Sequence, residues 1–284
     1  MSILELQREV EALWLSRASL GTDSLESKQV IDQTFELLDR GEVRVAEFRD
    51  GKWQTNQWLK KAVVLFSPMS ECRKISGGPN NVLNWYDRGR HKFDGWSEEQ
   101  FRKARIKVVP PAVVRYSAYL APGALVMPSF IGYGAYIDSD TLIDSNVSVA
   151  SCVQVGKNCH VSINAALGGV TEPLQADPVI IEDDCFIGAC STIAEGVRVG
   201  RGSVLSMGVF IGASTPIVDR HTGEIAFGVV PEGSVIVPGS LPGKPLPDGR
   251  SGPSLYCAVI AKRVDASTRA KIAINTLLRE AVLN

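Results

Sequence analysis

Hydrophobic residues recur with a period of six through the middle of the chain. An aliphatic residue followed by a small or acidic one begins at Ile131 and returns every six residues to Val161, and the phase reappears from Ile181 to Ile211. This period matches neither the two residues of a strand nor the 3.6 residues of a helix. It indicates a short strand plus a turn, three of which close a triangular coil with the aliphatic residues inside. Small residues at the fifth position, such as Cys159, suit the corners.

The repeat is interrupted twice. Residues 162–180 lack it and are rich in Gly and Pro, while residues 217–229 predict a hairpin that turns near residues 221–223. Excursions from a rigid solenoid are where binding surfaces tend to lie. A sandwich of short strands is the alternative to stacked coils, but two long blocks of in-phase repeats favour the coil.

The flanks of the repeat show other patterns. Before the repeat, apolar residues at helical spacing and a turn at Asp50-Gly51 predict helices and a hairpin. After it, an apolar strand is followed by another helical pattern. Together with the long repeat, these flanks predict a mainly β protein in three parts. The predicted elements are helices at 3–18, 24–40 and 57–67, a hairpin at 43–48 and 53–55, a strand at 254–262 and a helix at 266–281. The predicted parts are a helical α+β N-terminal domain (1–109), a parallel β-helix (110–241) and a C-terminal strand–helix extension (242–284).

Composition narrows the class of protein. The 284 residues are 45% hydrophobic with a net charge of −1, which gives no basic face for nucleic acid. No apolar run approaches the roughly 20 residues that span a bilayer, and the acidic N-terminal helix pattern is unlike a secretory signal. Six cysteines without CxxC pairs suggest reduced thiols that pack in a cytoplasmic protein. We therefore expect neither a membrane nor a metal partner.

Cationic residues avoid the repeat. Between residues 114 and 240 the only lysine is Lys157, and clusters of lysine and arginine lie before and after the coil. We therefore expect the flanks to hold any anionic ligand, with the coil supplying shape and backbone groups.

Several stretches inside and outside the repeat resemble the tetrahydrodipicolinate N-succinyltransferase family along nearly the whole chain. They are RVAE (44–47), QWLKKAV (57–63), VVPPAVVR (108–115), SCVQVGKN (151–158), GGVTEPLQADPVIIEDDCFIGA (168–189), GSVLSMGVFIG (202–212), DRHTGEI (219–225) and SLYCAVIAKRVDASTRAKIAINTLLR (254–279). The resemblance implies a left-handed β-helix in a homotrimer with active sites between subunits. It also implies succinyl transfer from succinyl-CoA, a co-substrate, to the amine of ring-opened tetrahydrodipicolinate, with no permanently bound cofactor.

The resemblance also implies ligands for the acceptor. Asp144 stands at the family's acceptor-binding position, near the amine, although aspartate there also suits an ordinary turn, as at Asp138. Lys107 stands where relatives have an arginine, so it keeps the charge but loses bidentate geometry. Arg115 is a second candidate for a substrate carboxylate.

The CoA channel is the other implied site. Small residues on coil edges, which also suit plain repeat filling, resemble its lining: Gly188, Ala189, Ser206, Met207 and Gly208. Lys244, Lys262 and Arg263 are candidates for phosphate or adenine contacts.

Three departures from the family pattern fall near the expected site. Thr192 replaces a glutamate suspected of acid–base work, Asn146 replaces a tryptophan, and residues 163–167 replace a glycine-rich run. They leave Asp144 or Glu195 as the candidate base and leave room for a shifted acyl preference or weaker activity.

Other hexapeptide proteins are the remaining alternatives. A hexapeptide carbonic anhydrase is rejected, because it needs three histidines on zinc and only His160 lies in the repeat. His160 is also the kind of residue that other hexapeptide acetyltransferases use as a general base, but here we expect it to pack or hydrogen-bond at a coil exit. A nucleotidyltransferase needs a glycine-rich loop near the start, which is absent from the sequence. An acetyl-CoA-using sibling and a non-catalytic scaffold stay open.

Overall fold

The computed structural model of the protein describes residues 1–19, 24–77, 83–171, 174, 177–194 and 196–272. Its N-terminal region confirms the predicted helices and first hairpin, with ends shifted by a few residues. A second hairpin and a fourth helix also occur there, and the hydrophobic pattern did not reveal them. In chain order the elements are α1 (Ile3–Leu15), α2 (Leu25–Asp39), β1 (Ala46–Arg49), β2 (Lys52–Thr55), α3 (Gln57–Met69), β3 (Arg73–Gly77), β4 (Leu83–Asp87) and α4 (Glu98–Ala104).

The three long helices share one apolar core. The Ser2 side chain accepts the backbone N–H of Glu5, whose own side chain accepts that of Ser2, so α1 begins with a capping box. Leu6 of α1, Phe35 of α2 and Leu59 of α3 are fully buried together. Burial of side chains of this size contributes roughly 1.5–3 kcal/mol each.

The repeat forms a three-sided helix of parallel strands, most of them two residues long. Face 1 contains β5 (Lys107–Val108), β8 (Leu125–Val126), β11 (Leu142–Ile143), β14 (His160–Val161), β17 (Phe186–Ile187), β20 (Val204–Leu205) and β25 (Ser234–Leu241). Face 2 contains β6 (Val113–Val114), β9 (Phe130–Ile131), β12 (Ser148–Val149), β15 (Ala166–Leu167), β18 (Thr192–Ile193) and β21 (Phe210–Ile211). Face 3 contains β7 (Tyr119–Leu120), β10 (Tyr136–Ile137), β13 (Gln154–Val155), β16 (Ile180–Ile181), β19 (Arg198–Val199) and β24 (Val229–Val230).

Successive coils stack in register, as the period of six predicts. Ile143 pairs with Val161 and Val161 with Ile187, and all three side chains are fully buried. At a corner, the Thr141 hydroxyl donates to the carbonyl of Gly156 at 2.7 Å, which ties one coil to the next. The predicted left-handed parallel β-helix is thus confirmed, with a continuous aliphatic interior.

The first excursion starts later than the sequence pattern suggested. We expected residues 162–180 to lack the repeat, but Ala166 and Leu167 form β15, which pairs with β12 below and β18 above. That expectation was wrong because Leu167 keeps the six-residue phase after Val161. The chain therefore leaves the coil only at Gly168, at the corner between faces 2 and 3.

The second excursion leaves from the same corner. It contains the predicted hairpin, formed by β22 (Ile217–Asp219) and β23 (Ile225–Ala226). A long strand, β26 (Leu255–Arg263), then pairs antiparallel with β25 and parallel with β22. It leads to α5 (Ala266–Ile272), and the rest of the helix predicted to residue 281 lies outside the described residues.

Face 3 packs against the N-terminal region. The Arg44 guanidinium stacks on the Tyr136 ring at 3.6 Å and donates to Gln154 Oε1 at 3.0 Å. Trp53 Nε1 donates to Glu182 Oε1 at 2.8 Å. Burial lowers the pKa of Arg44, although Tyr136, Asp138 and Asp183 oppose that shift. Asp144, Gly188 and Ser206, among the predicted site residues, instead lie at the corner between the other two faces.

Candidate functional site

One edge of the prism, the corner between faces 1 and 2, gathers most of the predicted site. Asp144, Gly188 and Ser206 directly follow β11, β17 and β20, which belong to one stacked ladder. Residues 18 apart occupy equivalent places on adjacent coils, about 4.8 Å apart. The predicted acceptor ligand and the predicted CoA stretch are therefore aligned along one edge, separated by the coil of Ser162.

The Asp144 carboxylate is held at this edge. Its Oδ1 accepts the backbone N–H of Ser145 at 2.6 Å, and its Oδ2 lies 3.7 Å from His160 Nε2. The Asp144 side chain keeps 29% of its surface exposed. A ligand amine can thus approach a carboxylate whose orientation the coil already restrains.

Two backbone N–H groups further up the edge are open to a ligand. At Ser145 the aspartate side chain occupies the N–H, but Gly188 and Ser206 leave the corresponding groups of Ala189 and Met207 open. In the part of the chain that the structure describes, neither N–H has an acceptor. Open donors of this kind can bind the carbonyl oxygens of an extended ligand that lies along the edge.

The two glycines of the CoA stretch disfavour larger residues for different reasons. A Cβ on Gly188 would lie 2.4 Å from the carbonyl carbon of Ser206, so the stacking of coils excludes any side chain there. A Cβ on Gly208 would meet nothing within 4 Å, but its φ of +69° suits glycine. Only Gly208 therefore leaves open space on the outside of this edge.

Lys107 lies on face 1, below Asp144. It pairs with Leu125, which in turn pairs with Leu142, so it is two coils from Asp144, about 10 Å along the axis. Its side chain is exposed. Its flexible side chain can therefore extend along face 1 toward the Asp144 edge.

Arg115 lies at the corner between faces 2 and 3, away from Asp144. Its guanidinium forms an ion pair with Asp87 of β4, and it faces the Tyr133 ring at 5.3 Å. Burial acts to raise the pKa of Asp87, but the bonds to Arg115 and the N–H of Arg88 bring it below its ordinary value. The structure thus gives Arg115 an anionic partner within its own chain.

The three predicted phosphate ligands lie near the upper end of the coil. Lys262 Nζ contacts Asp265 Oδ2 at 2.7 Å, and Arg263 Nη1 donates to Ser234 Oγ at 2.7 Å. Lys244 is exposed in the segment that joins β25 to β26. Lys244 is the most available of the three, because the other two are engaged by neighbouring side chains.

The departures from the family pattern lie at the corner between faces 1 and 2 and on face 2. Asn146 is at the corner of Asp144, with a φ of +58°, which asparagine tolerates. Thr192 is on the outer side of face 2, and Glu195, the other candidate base, lies outside the described residues. Asp144 is thus the only predicted base with a described environment.

Two clefts elsewhere contain none of the predicted site residues. One, of about 790 Å³, lies between the β1–β2 hairpin and the corner of faces 3 and 1, and the other, of about 730 Å³, lies beside α2. Within the described ranges, no cluster of His, Cys, Asp and Glu could hold a metal ion. No described helix is both long and apolar enough to cross a membrane.

Comparison with known proteins identifies the family. Residues 5–69 match the family model for the tetrahydrodipicolinate N-succinyltransferase N-terminal region, and residues 178–213 match the hexapeptide repeat of succinyl-transferase. The chain is 55% identical over 282 residues to the 2,3,4,5-tetrahydropyridine-2,6-dicarboxylate N-succinyltransferase of Methylobacterium sp. (strain 4-46), covering 99% of this chain and all of that one. The chain belongs to the 2,3,4,5-tetrahydropyridine-2,6-dicarboxylate N-succinyltransferase family.

Other members of this N-succinyltransferase family agree. The Nitrobacter winogradskyi enzyme of that name is 58% identical over 256 residues, which cover 90% of this chain and 91% of the relative. The one from Parvibaculum lavamentivorans is 53% identical over 281 residues, with 99% and 100% coverage. As an N-succinyltransferase family member the chain is an acyltransferase of small molecules, which confirms the class expected from the sequence.

Sequence reasoning did not foresee that His160 faces the aspartate. Ser162 lies directly above Asp144 on the next coil, and His160 comes two residues before it. The side chains of His160 and Asp144 therefore meet diagonally across adjacent coils. The available signal was their separation of 16 residues, two fewer than one coil of three hexapeptides. His160 was expected to pack or hydrogen-bond at a coil exit, and its ring does contact Phe186 edge-on at 5.0 Å.

Proposed function

We propose that this chain transfers the succinyl group of succinyl-CoA to the amine of ring-opened tetrahydrodipicolinate, without a permanently bound cofactor. The observation that supports this best is the shared edge between faces 1 and 2, where the Asp144 carboxylate and the open N–H groups of Ala189 and Met207 are aligned. An acyl transfer from CoA to an amine needs a proton acceptor beside the nucleophile and polar groups that hold the pantetheine arm along the same edge.

The acceptor lies at the lower part of the edge in this proposal. Asp144 orients the amine and takes up its proton as the nitrogen attacks the thioester carbon. The C–S bond then breaks, and the departing CoA thiolate takes up that proton. Lys107 binds a carboxylate at the other end of the molecule, and its single ammonium recognises it less specifically than a forked guanidinium would. Arg115 remains a second candidate for a carboxylate, and it would have to exchange its bond to Asp87 for one to the substrate.

The donor lies higher on the same edge. Gly188, Ala189 and residues 206–208 flank the pantetheine arm, and the open N–H groups of Ala189 and Met207 donate to its amide carbonyls. Lys244, Lys262 and Arg263 contact the phosphates or the adenine. Glu195 is retained as a second candidate base, on the sequence pattern alone.

We further propose that the functional unit is a homotrimer with active sites between neighbouring coils. Both excursions leave from the corner between faces 2 and 3, whereas Asp144 is at the corner between faces 1 and 2. Six residues of extended chain separate adjacent corners by at most about 20 Å. Within one chain an excursion and the Asp144 edge therefore lie at different corners, but a neighbouring subunit can bring its own excursion to that edge and close the groove.

We also propose a cytoplasmic location for the protein. Its six free cysteines, four of them buried, agree with a reducing compartment.

The test is release of free thiol from acyl-CoA in the presence of tetrahydrodipicolinate or L-2-aminopimelate. The proposal predicts acceptor-dependent release with succinyl-CoA and much slower release with acetyl-CoA. A reversed preference would assign the chain to an acetyl-CoA-using sibling. No release above the acceptor-free rate with either donor would favour a non-catalytic scaffold. Sedimentation of the same sample tests the trimer.

A further inference from the structure

A second side chain restrains the carboxylate that the proposed reaction depends on. The N–H of Ser145 donates to Asp144 Oδ1 and holds that oxygen in place. The remaining freedom of the carboxylate is rotation about this hydrogen bond, which moves the other oxygen. His160 Nε2 faces the other oxygen, Oδ2, at 3.7 Å. The two contacts together determine which way the remaining lone pairs of Asp144 point.

The imidazole itself is well placed to act through Asp144. Phe186, one coil above, holds the ring edge-on at a centroid distance of 5.0 Å, and the Nε2 atom is buried. A buried nitrogen is shielded from a ligand in the groove, whereas the Asp144 side chain is partly exposed. His160 can therefore influence a bound amine only by way of the carboxylate.

We propose that His160 is a positioning residue for Asp144, an inference that rests on the proposed succinyl transfer. The neutral ring carries its proton on Nε2 and donates it toward Asp144 Oδ2. The observed 3.7 Å exceeds a hydrogen-bond length, and such contacts commonly tighten when an active site is loaded. The shortened bond then fixes the carboxylate with a free lone pair directed at the amine.

The chain contains a matched comparison for this arrangement. Asp138 occupies the same place in the preceding hexapeptide, and its Oδ1 accepts the N–H of Ser139 at 2.7 Å. Its Oδ2 faces the Arg44 guanidinium at 3.9 Å, at the corner of faces 3 and 1. Both aspartates thus cap a turn, but only Asp144 has a histidine and the proposed CoA edge beside it.

The kinetic test uses His160→Phe, which keeps the ring against Phe186 but removes the N–H, and His160→Gln, which restores a donor. We expect His160→Phe to lower kcat between about 10- and 100-fold, as expected for a misplaced reacting group, with little change in the KM for succinyl-CoA. His160→Gln should recover part of that loss. The double variant with Asp144→Asn should be no slower than Asp144→Asn alone, because His160 acts through Asp144.

Two kinetic results would overturn the inference: a kcat for His160→Phe within twofold of the unaltered protein, or losses that multiply in the double variant. Both presuppose an active enzyme, so failure of the proposed function is visible separately as an inactive unaltered protein.

An NMR measurement decides the pairing whatever the activity. The chain has three histidines, so selective ¹⁵N-histidine labelling with His160→Gln for assignment is tractable. We expect a ring protonated on Nε2 whose nitrogen shifts move in Asp144→Asn and stay in Asp138→Asn. A proton on Nδ1 alone, or shifts that ignore Asp144→Asn, would contradict the positioning role.

Discussion

Lys92 and Asp39 form a buried ion pair that joins α2 to the first coil. Lys92 Nζ lies 2.9 Å from Asp39 Oδ1 and also donates to the Asp39 carbonyl at 3.0 Å, with 4% of the lysine side chain exposed. Asp39 Oδ1 accepts the N–H of Ser117 as well, at 3.0 Å. One carboxylate thus fixes both a helix end and the entry to the coil.

Removing one partner should leave a buried charge uncompensated. We expect Lys92→Met to lower the free energy of unfolding by about 3 kcal/mol, measured by chemical denaturation. The double variant with Asp39→Asn should regain part of this, since the asparagine oxygen still accepts from Ser117. Lys103→Met, at an exposed site, is the control. A loss for Lys92→Met no larger than the control's would show that the pair does not stabilise this junction.

The glycines of the proposed CoA edge should respond differently to alanine. Gly188→Ala places a Cβ 2.4 Å from the Ser206 backbone, so it should cost at least about 1–3 kcal/mol by overpacking. Gly208→Ala meets open space and should cost about 1–2 kcal/mol through its positive φ alone. Thermal unfolding of both variants checks the order. A larger loss for Gly208→Ala would contradict the stacking argument for Gly188.

Lys107 should affect acceptor binding more than turnover. Loss of one charge-assisted hydrogen bond in Lys107→Met should raise the acceptor KM roughly 10- to 100-fold. Lys107→Arg should lower that KM, because a guanidinium binds a carboxylate through two parallel bonds. Steady-state kinetics at saturating succinyl-CoA make the comparison, with Lys157→Met, another exposed lysine, as the control. Equal acceptor KM values for all four proteins would remove Lys107 from the site.

Alkaline pH should destabilise the fold through its tyrosines. Burial raises the pKa of five tyrosines above their ordinary value of about 10: Tyr116, Tyr119, Tyr133, Tyr136 and Tyr256. Above pH 10 the unfolded chain binds fewer protons on these groups than the folded chain, so their contribution to stability falls as pH rises through that range. Tyrosinate absorbance should therefore rise later in the folded protein than in denaturant. Superimposable titrations in the two states would contradict this.

The coil was predictable from the sequence because its period is enforced by burial. Every sixth residue, such as Ile143 or Ile187, must enter a closed aliphatic interior. The same rule, applied strictly, would also have placed Leu167 in the coil. The Gly- and Pro-rich composition of the next residues obscured that position. The β3–β4 hairpin and α4 were missed because they are short and their strands bury little.

The candidate site was predictable only in part. The family resemblance named Asp144 and the CoA stretch. That both lie on one edge required coordinates, because the excursion after Leu167 interrupts the count of 18 residues per coil. Side-chain partners do not follow from a period, because they depend on the rotamers and on diagonal neighbours. The bond of Arg115 to Asp87 and the approach of His160 to Asp144 therefore required coordinates.

The central claim is that succinyl transfer occurs at the Asp144 edge, and a matched pair of variants tests it most directly. Asp144→Asn and Asp138→Asn each remove one charge from an aspartate that caps the next backbone N–H. Product formation from succinyl-CoA and the amine acceptor, followed by mass spectrometry, should fall about 10²- to 10⁴-fold for Asp144→Asn. Asp138→Asn should stay within a few-fold of the unaltered protein. Similar rates for the two variants, or an unaltered protein that forms no succinylated product, would contradict the account.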